Sequence, residues 1–145
     1  MKTITICGKK YDIDCNALTY VKYKSIFKTG ILKDMQFIQN YLIKQAVIAK
    51  QLDEKKISEA EKLSQLSEIM INDTDEFVSK ITQIAWILIY TANNKVESYE
   101  TWLSSITKFN ISDDWISEVT EFAVDCFCWW RIIKRTWKNK EWQYN

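Results

Sequence analysis

The stretch IAWILIYTA, Ile84 to Ala92, decides the fold of this chain. From Ile84 to Ile89 apolar side chains surround every side of a helix, so no face is left for water. The run is much shorter than the ~20 residues that a membrane-spanning helix needs. A short helix that is apolar all round belongs in a protein core. The sequence therefore predicts a central buried helix against which the other elements pack.

Two helices are predicted between Ser58 and Asn94, and the second of them contains this stretch. Asp73-Thr74-Asp75 places oxygens and negative charge where the central helix would begin, and Asn93-Asn94 would end it. A separate helix is predicted from Ser58, which has capping-box spacing to Glu61, through about Ile71. The high charge of that helix indicates a solvated face, with a partly mobile arm as the alternative.

Nearer the N-terminus, Asn16 is predicted to cap a helix through Phe27, and Thr29-Gly30 supplies a glycine stop. The next helix is predicted from about Lys33 to Leu52. Its core-facing positions are Met35, Ile38, Leu42, Ala46 and Ala49.

The first fifteen residues predict a β-hairpin. TITIC and KYDIDC alternate around Gly8-Lys9, which suits a type II′ turn. That turn would place Ile4, Ile6, Tyr11, Ile13 and Cys15 on one face. A lone hairpin is marginal in water, so helices must cover this face.

Two helices are predicted after the central one, from Ser98 through about Ile106 and from Ser112 onward. The last helix carries acids in its first half and bases in its second, the order that complements a helix dipole. Its core stripe consists of Val119, Phe122, Cys126, Trp130, Ile133 and Trp137, flanked by Ala123 and Phe127.

Aromatic and branched residues near the C-terminus are candidates for partner contact. Ile132 would project among Glu121 and Asp125 on the solvated side, and Trp129 would lie at the edge of the stripe. Exposed groups of this kind are typical of binding hot spots, although overspill of the core explains them equally well. The predicted partner-binding residues are Trp129, Ile132, Trp137 and Trp142.

A cluster of bases in the same region gives a nucleic-acid alternative. The chain carries 20 Lys and Arg against 19 Asp and Glu, so its net charge gives no general attraction to nucleic acid. Any such contact would be local, through Arg131, Lys134, Arg135, Lys138 and Lys140. We expect protein binding rather than this alternative, and no membrane binding, because the same helix carries five carboxylates.

Catalysis, metal binding and a cofactor are not expected. The sequence contains no histidine, which removes the commonest general base and zinc ligand. Cys7, Cys15, Cys126 and Cys128 lack metal-ligand spacing and are predicted to be buried free thiols in a cytosolic protein. The two glycines are far apart and form no phosphate-binding loop.

Several short motifs are shared with a known family. ITICGKKYDID, the aromatic Tyr23, and Thr29-Gly30-Ile31-Leu32 resemble the opening of the small tail assembly chaperones of long-tailed bacteriophages, prophages and phage-tail-like bacteriocins. The segment from Ser98 to Leu103 is similar to a later motif of that family. The resemblance covers roughly residues 2–32 and 77–125.

The resemblance implies a non-enzymatic helper in the bacterial cytosol. Such proteins associate with the tape-measure protein and with tail tube subunits while the tail is built, and self-association is a further expectation. A structural tail subunit is another alternative. The expected fold is mainly α, a two-stranded hairpin on a bundle of about five to six helices. It is expected to be one domain, with the hairpin at 2–15, the bundle at 16–138 and a short tail at 139–145.

Overall fold

The computed structural model describes residues 1–55 and 57–127 of the chain. The fold is mainly helical, with an N-terminal two-stranded antiparallel hairpin, as the sequence predicts. In chain order the elements are β1 (Lys2–Ile6), β2 (Lys9–Ile13), α1 (Ala17–Phe27), α2 (Ile31–Asp53), α3 (Glu59–Ala92), α4 (Tyr99–Ser104) and α5 (Asp114–Cys126).

The hairpin buries the predicted face through a different turn. Cys7 and Gly8, with φ of 50° and 78°, are the central turn residues. Positive φ at both positions is a type I′ feature, so the predicted type II′ turn at Gly8-Lys9 is wrong. The observed register differs from the predicted one by two residues, which leaves every side chain on its expected face. Ile4, Ile6 and Ile13 are accordingly buried.

α1 begins and ends where the sequence places it. The Asn16 side chain accepts a hydrogen bond from the Leu18 amide, and the Thr19 hydroxyl accepts one from the Asn16 amide. Lys28 adopts the left-handed conformation after the last turn. The predicted glycine stop is therefore wrong in detail: Gly30 has φ of −79° and precedes α2 as its N-cap.

α3 is one helix of 34 residues and not the two predicted helices. Asp73, Thr74 and Asp75 lie within it, so the polar run does not begin a new helix. The Thr74 hydroxyl is 3.1 Å from the Tyr41 hydroxyl of α2, and Asp73 pairs with Lys44 of the same helix. Thr74 and Asp73 therefore contact α2, and the helix continues through them without a break.

α2 faces α3 through a different set of residues from the one predicted. Met35 and Ile38 are buried as expected, and Leu42 is half-buried. Ala46 and Ala49 are exposed, whereas Tyr41 and Ile48 are buried in their place. The Tyr41 ring stacks on Phe77 of α3 with centroids 4.3 Å apart. This stacking fixes the rotation of α2 and turns the two alanines to solvent.

The main hydrophobic core surrounds the second half of α3. All six side chains from Ile84 to Ile89 are buried, which confirms the central position predicted for this run. β2 joins the helix directly, because the Asp14 amide donates to the Leu88 carbonyl at 3.1 Å. α4 contributes Trp102 to the core, and α5 contributes Trp115, Ile116, Val119 and Ala123. α4 begins one residue later and ends two residues earlier than predicted. α5 begins two residues later than predicted and ends at Cys126, and the predicted stripe from Trp130 to Trp137 lies outside the described residues.

The described chain has two regions that differ in burial. We call residues 2–41 and 77–127 the head; they hold every fully buried side chain of the core cluster. We call residues 42–55 and 57–76 the arm, which is the second part of α2 and the first part of α3. Within the arm, Ile48 is buried, but it does not belong to that cluster.

Candidate protein-binding surface

All the predicted contact residues lie outside the described residues. Both the partner-binding and the nucleic-acid interpretations therefore stay predictions. The predicted partner-binding residues are Trp129, Ile132, Trp137 and Trp142, and the nucleic-acid alternative uses Arg131, Lys134, Arg135, Lys138 and Lys140.

The described part of the C-terminal stripe does face the core. Val119, Ala123 and Phe127 are buried, and Phe122 is half-buried. The Phe127 ring meets the Tyr20 ring of α1 edge-on, with centroids 5.4 Å apart. The chain therefore leaves the described region beside the first turn of α1.

α2 presents apolar side chains on the side that faces away from α3. Ile43 lies about 200° around the helix from Tyr41, at 100° per residue. Ile43 is 58% exposed and Val47 is 48% exposed. We call Leu32, Ile43, Ala46 and Val47 the outer row of α2. Its members lie within about 100° of one another on the helix and span about 22 Å of its length, with the exposed Gln36 and Gln39 on the same side between Leu32 and Ile43.

A helix with apolar residues on two opposite sides normally has two partners. The inner side of α2 packs on α3, through Ile38 and Tyr41 among others. The three large side chains of the outer row are only partly covered, at 43% exposure for Leu32, 58% for Ile43 and 48% for Val47. A groove of about 250 Å³ adjoins it, between Ile43 of α2 and Asp73 of α3. The outer row is therefore the strongest candidate for protein contact in the part of the chain that the structure describes.

The tip of the arm adds a second apolar feature. A groove of about 450 Å³ is lined there by Leu52, Ala60, Leu63 and Leu66 together with two charged residues. Leu63 is 68% exposed. The hydroxyl of Ser58 accepts from the Glu61 amide at 3.2 Å, as the predicted cap requires, and this fixes the start of α3.

A buried polar cluster joins three helices within the head. The Asp34 carboxylate of α2 is 1% exposed and accepts hydrogen bonds from Tyr23 at 2.6 Å and Lys80 at 2.7 Å. The Thr29 hydroxyl donates a third, at 2.7 Å. The Tyr23 hydroxyl is also 3.2 Å from Gln83 of α3. One carboxylate thus connects α1, α2 and α3 where the arm begins.

The protonation of the cluster follows from these contacts. Burial alone would raise the pKa of Asp34, but hydrogen bonds from Lys80, Tyr23 and Thr29 outweigh it and hold the pKa below its ordinary value. Burial would lower the pKa of Lys80, and the carboxylates of Asp34 and Glu76 raise it instead. The pKa of Tyr23 is raised by burial and by the adjacent Asp34. Asp34 and Lys80 are therefore a charged pair at neutral pH.

The cysteines in the described region are free thiols, as predicted, but their burial differs from the prediction. Cys7 is exposed, and its Sγ donates to the Lys108 carbonyl at 3.0 Å. Cys15 and Cys126 are half-buried. Burial, together with the neighbouring Cys126, raises the pKa of the Cys15 thiol to about 11, so this thiol is protonated and a poor nucleophile at neutral pH. Cys128 lies outside the described residues.

A polar groove of about 470 Å³ lies between β1 and the start of α5. It is lined by Thr3, Thr5 and Lys108 and by carboxylates that include Asp113 and Asp114. Asp113 is the N-cap of α5, and its side chain accepts from the Asn110 amide at 3.0 Å. Asp113 and Asp114 thus lie at the start of α5, although the Asp113 side chain makes no capping hydrogen bond to the helix.

Neither a metal site nor a membrane span is found in residues 1–55 and 57–127. No group of three or more potential metal-ligating side chains comes together there. No helix in these ranges is long and apolar enough to cross a bilayer.

The outer row was not predicted, because the sequence pattern of α2 was assigned a single core-facing stripe. The signal was present in the printed sequence: Leu32, Ile43 and Val47 are large apolar residues that do not fit that stripe. The polar cluster was missed for another reason. Tyr23, Asp34 and Lys80 lie far apart in sequence, and only the packing of three helices brings them together.

Comparison of the chain with models of known protein families, with curated proteins and with solved structures gives no match.

Proposed function

We propose that this protein is a non-enzymatic assembly chaperone of the phage-tail type, which binds a helical segment of the tape-measure protein while the tail is built. Binding to tail tube subunits would be part of the same role. The outer row of α2 supports this proposal most directly. It offers an apolar strip of helix to another polypeptide, and the Asp34 cluster holds that helix firmly in the head.

The chemistry of the outer row suits a transient helical client. The outer row extends along about four helical turns, and Ile43, Ala46 and Val47 form its continuous apolar part, against which a partner helix can pack. The tape-measure chain expected from the family resemblance is long and helical, with apolar stripes that aggregate when unguarded. Covering such stripes helix against helix is a recurring mode of peptide recognition. Trp129, Ile132, Trp137 and Trp142 would extend the contact beyond the described residues.

Co-expression with the products of neighbouring genes tests the proposal. We expect one large helical protein to become soluble only when this chain is present. The informative variant is Ile43→Gln with Val47→Gln, because it removes apolar surface without changing charge or helix propensity much. Burying each side chain fully is worth about 1.5–3 kcal/mol, and both are already partly covered. The variant should bind the client about tenfold or more weakly.

A matched control is available on α1. Leu18 and Val21 are 50% and 69% exposed, and Leu18→Gln with Val21→Gln removes a similar apolar area from another helix. The control should bind the client like the wild type. Equal loss in both variants, or no soluble client in any combination, would contradict the proposal.

The two alternatives are separated by other measurements. Nucleic-acid binding through Arg131, Lys134, Arg135, Lys138 and Lys140 would weaken steeply between ~50 and 200 mM salt. Apolar docking on the outer row should barely respond to salt in that range. A structural tail subunit would be found in purified particles, whereas a chaperone of this family is usually missing from them.

A further inference from the structure

The first half of α3 carries an unusually acidic surface. Residues 59–76 contain six carboxylates and one lysine. Glu61, Glu68 and Asp75 are exposed and recur every seven residues, so they lie along one side of the helix. We call these three residues the acidic stripe. Asp75 lies about 160° around α3 from Phe77, which stacks on α2, so the stripe faces away from α2.

A large apolar side chain accompanies the acidic stripe. Ile71 is 80% exposed, and it lies one turn from both Glu68 and Asp75. Leu63 is also exposed, but it lies about 160° around α3 from Glu61 and so is not on the side of the stripe. A ligand for this surface therefore needs positive charge and apolar bulk together.

The chain itself contains a segment of that composition. Residues 128–145 carry five cationic side chains and one carboxylate, interleaved with four tryptophans and two isoleucines. The described region ends at Phe127, immediately before this segment. The segment and the first half of α3 have opposite charge, and both have large apolar side chains.

The other exposed helices fit this segment less well. α1 exposes Leu18 and Val21, but its charged residues are lysines and it has no carboxylate, so it would repel a basic segment. α5 carries four carboxylates from Asp114 to Asp125 and no base. It contributes none of the exposed large apolar side chains found in the described residues. Of these three described surfaces, the first half of α3 is the one that combines carboxylates with a large exposed apolar side chain.

Distance favours a second copy over the segment's own arm. Phe127 lies against Tyr20, and the neighbouring Thr19 hydroxyl is 2.8 Å from that of Thr91, near the end of α3. Ile71 is twenty residues before Thr91, which is about 30 Å along the helix. Ile133 is only six residues beyond Phe127 and reaches at most about 21 Å from it. Measured along α3, Ile133 therefore falls short of Ile71 of its own chain, and only residues from about Trp137 onward extend that far. A second copy has no such tether, so it can bring the apolar first part of the segment to Ile71.

We propose that residues 128–145 of one copy bind the acidic stripe and Ile71 of a second copy. In a dimer, each copy binds the segment of the other, so both acidic stripes are occupied. Such an isologous contact closes on itself. This inference does not depend on the client proposed above, since the outer row of α2 and the acidic stripe of α3 are separate surfaces.

Charge exchange in the full-length chain tests the inference. The stripe variant is Glu61→Lys, Glu68→Lys and Asp75→Lys, and the segment variant is Arg131→Glu, Lys134→Glu and Arg135→Glu. Sedimentation equilibrium should show that each variant alone associates at least tenfold more weakly than the wild type. An equimolar mixture should recover association, because both contacts between the two variants again join opposite charges. Added salt should weaken the wild-type dimer.

A matched control changes the same amount of charge in the head. Glu97, Glu100 and Glu121 are exposed, and their replacement by lysine should leave the dimer constant within about threefold of the wild type. Circular dichroism checks that all variants are folded, and Glu68→Gln with Asp75→Asn replaces the stripe variant if it is not. A wild type that stays monomeric at about 100 µM, an equal loss in the control, or a mixture that does not recover would overturn the inference.

Discussion

The two halves of α3 form one continuous helix in opposite surroundings. From Phe77 to Ile89, nine of the side chains are buried, and the hairpin, α1, α4 and α5 all pack on this half. From Glu59 to Glu76 no side chain that the structure describes is buried. The half from Phe77 to Ile89 holds the fold together, whereas residues 59–76 leave their surface exposed.

Two ion pairs between α2 and α3 show the same contrast. In the head, Lys80 and Asp34 are 2.7 Å apart, and their side chains are 15% and 1% exposed. In the arm, Lys44 and Asp73 are 3.4 Å apart, and Lys44 is 58% exposed. Removing one member of a buried pair leaves an uncompensated charge, whereas an exposed pair is replaced by water. Contacts with the same chemistry therefore have different importance in the head and in the arm.

The largest expected effect comes from truncating one buried isoleucine in the head and one in the arm. Ile87→Ala in the head should lower the free energy of unfolding by about 4 kcal/mol, because Ile87 is fully buried and its neighbours cannot close the cavity. Ile48→Ala in the arm should cost about 2 kcal/mol or less, since the arm can relax around it. Urea denaturation followed by circular dichroism measures both. Equal costs would mean that the arm is as tightly packed as the head.

The ion pairs give the next largest effect. Lys80→Met should cost about 3 kcal/mol at pH 7, because Asp34 then stays buried without its cation. The control Lys44→Met should cost less than about 1 kcal/mol. Denaturation with urea again provides the measurement, and similar losses in the two variants would contradict the contrast in burial.

The same pair makes a prediction about pH. In the wild type the pKa of Asp34 is lowered, so its contribution is present above about pH 3.9, the pKa of an unfolded aspartate, and is lost as the pH falls toward the lower folded value. Lys80→Met removes the first of the hydrogen bonds that lower the pKa of Asp34, so this pKa rises relative to the wild type and protonation relieves part of the cost. The deficit of the variant should therefore be smaller at pH 4 than at pH 7. A deficit that does not change with pH would show that Asp34 is not the affected group.

Helix caps give the smallest effect and separate local from global stability. Asn16→Ala in the head and Ser58→Ala in the arm each remove a side-chain cap worth about 1 kcal/mol. The first should lower the midpoint of global unfolding. The second should mainly speed amide hydrogen exchange in the first turns of α3, because the arm opens without the head. Slower exchange at those turns than in Ile84–Ile89 would contradict this division.

Local signals in the sequence predicted the head well. The apolar run from Ile84 to Ile89, the Asn16 cap and the alternating hairpin residues each depend on neighbours close in sequence. Even the wrong turn left the hairpin face correct, because an error of two residues preserves the alternation. In the head, the local conformational propensity of the sequence and the tertiary packing therefore favour the same structure.

The arm and the polar cluster were harder to predict because they depend on distant partners. Asp73, Thr74 and Asp75 look like a helix start until Tyr41 and Lys44 supply partners from α2. Ala46 fits the core-facing spacing of α2, yet the stacking of Tyr41 on Phe77 rotates it to solvent. Asp34 carries no sequence signal of burial, since its cation is 46 residues away.

The unbroken course of α3 has a consequence for how the chain folds. The first turn of any helix is costly to nucleate, and each later residue adds to a turn that already exists. Phe77 to Ile89 forms its first turns with the help of the core, so residues 59–76 need only be added to its N-terminal end. The exposed residues 59–76 therefore extend a helix that the core has already started, and they can stay polar without losing their helical shape.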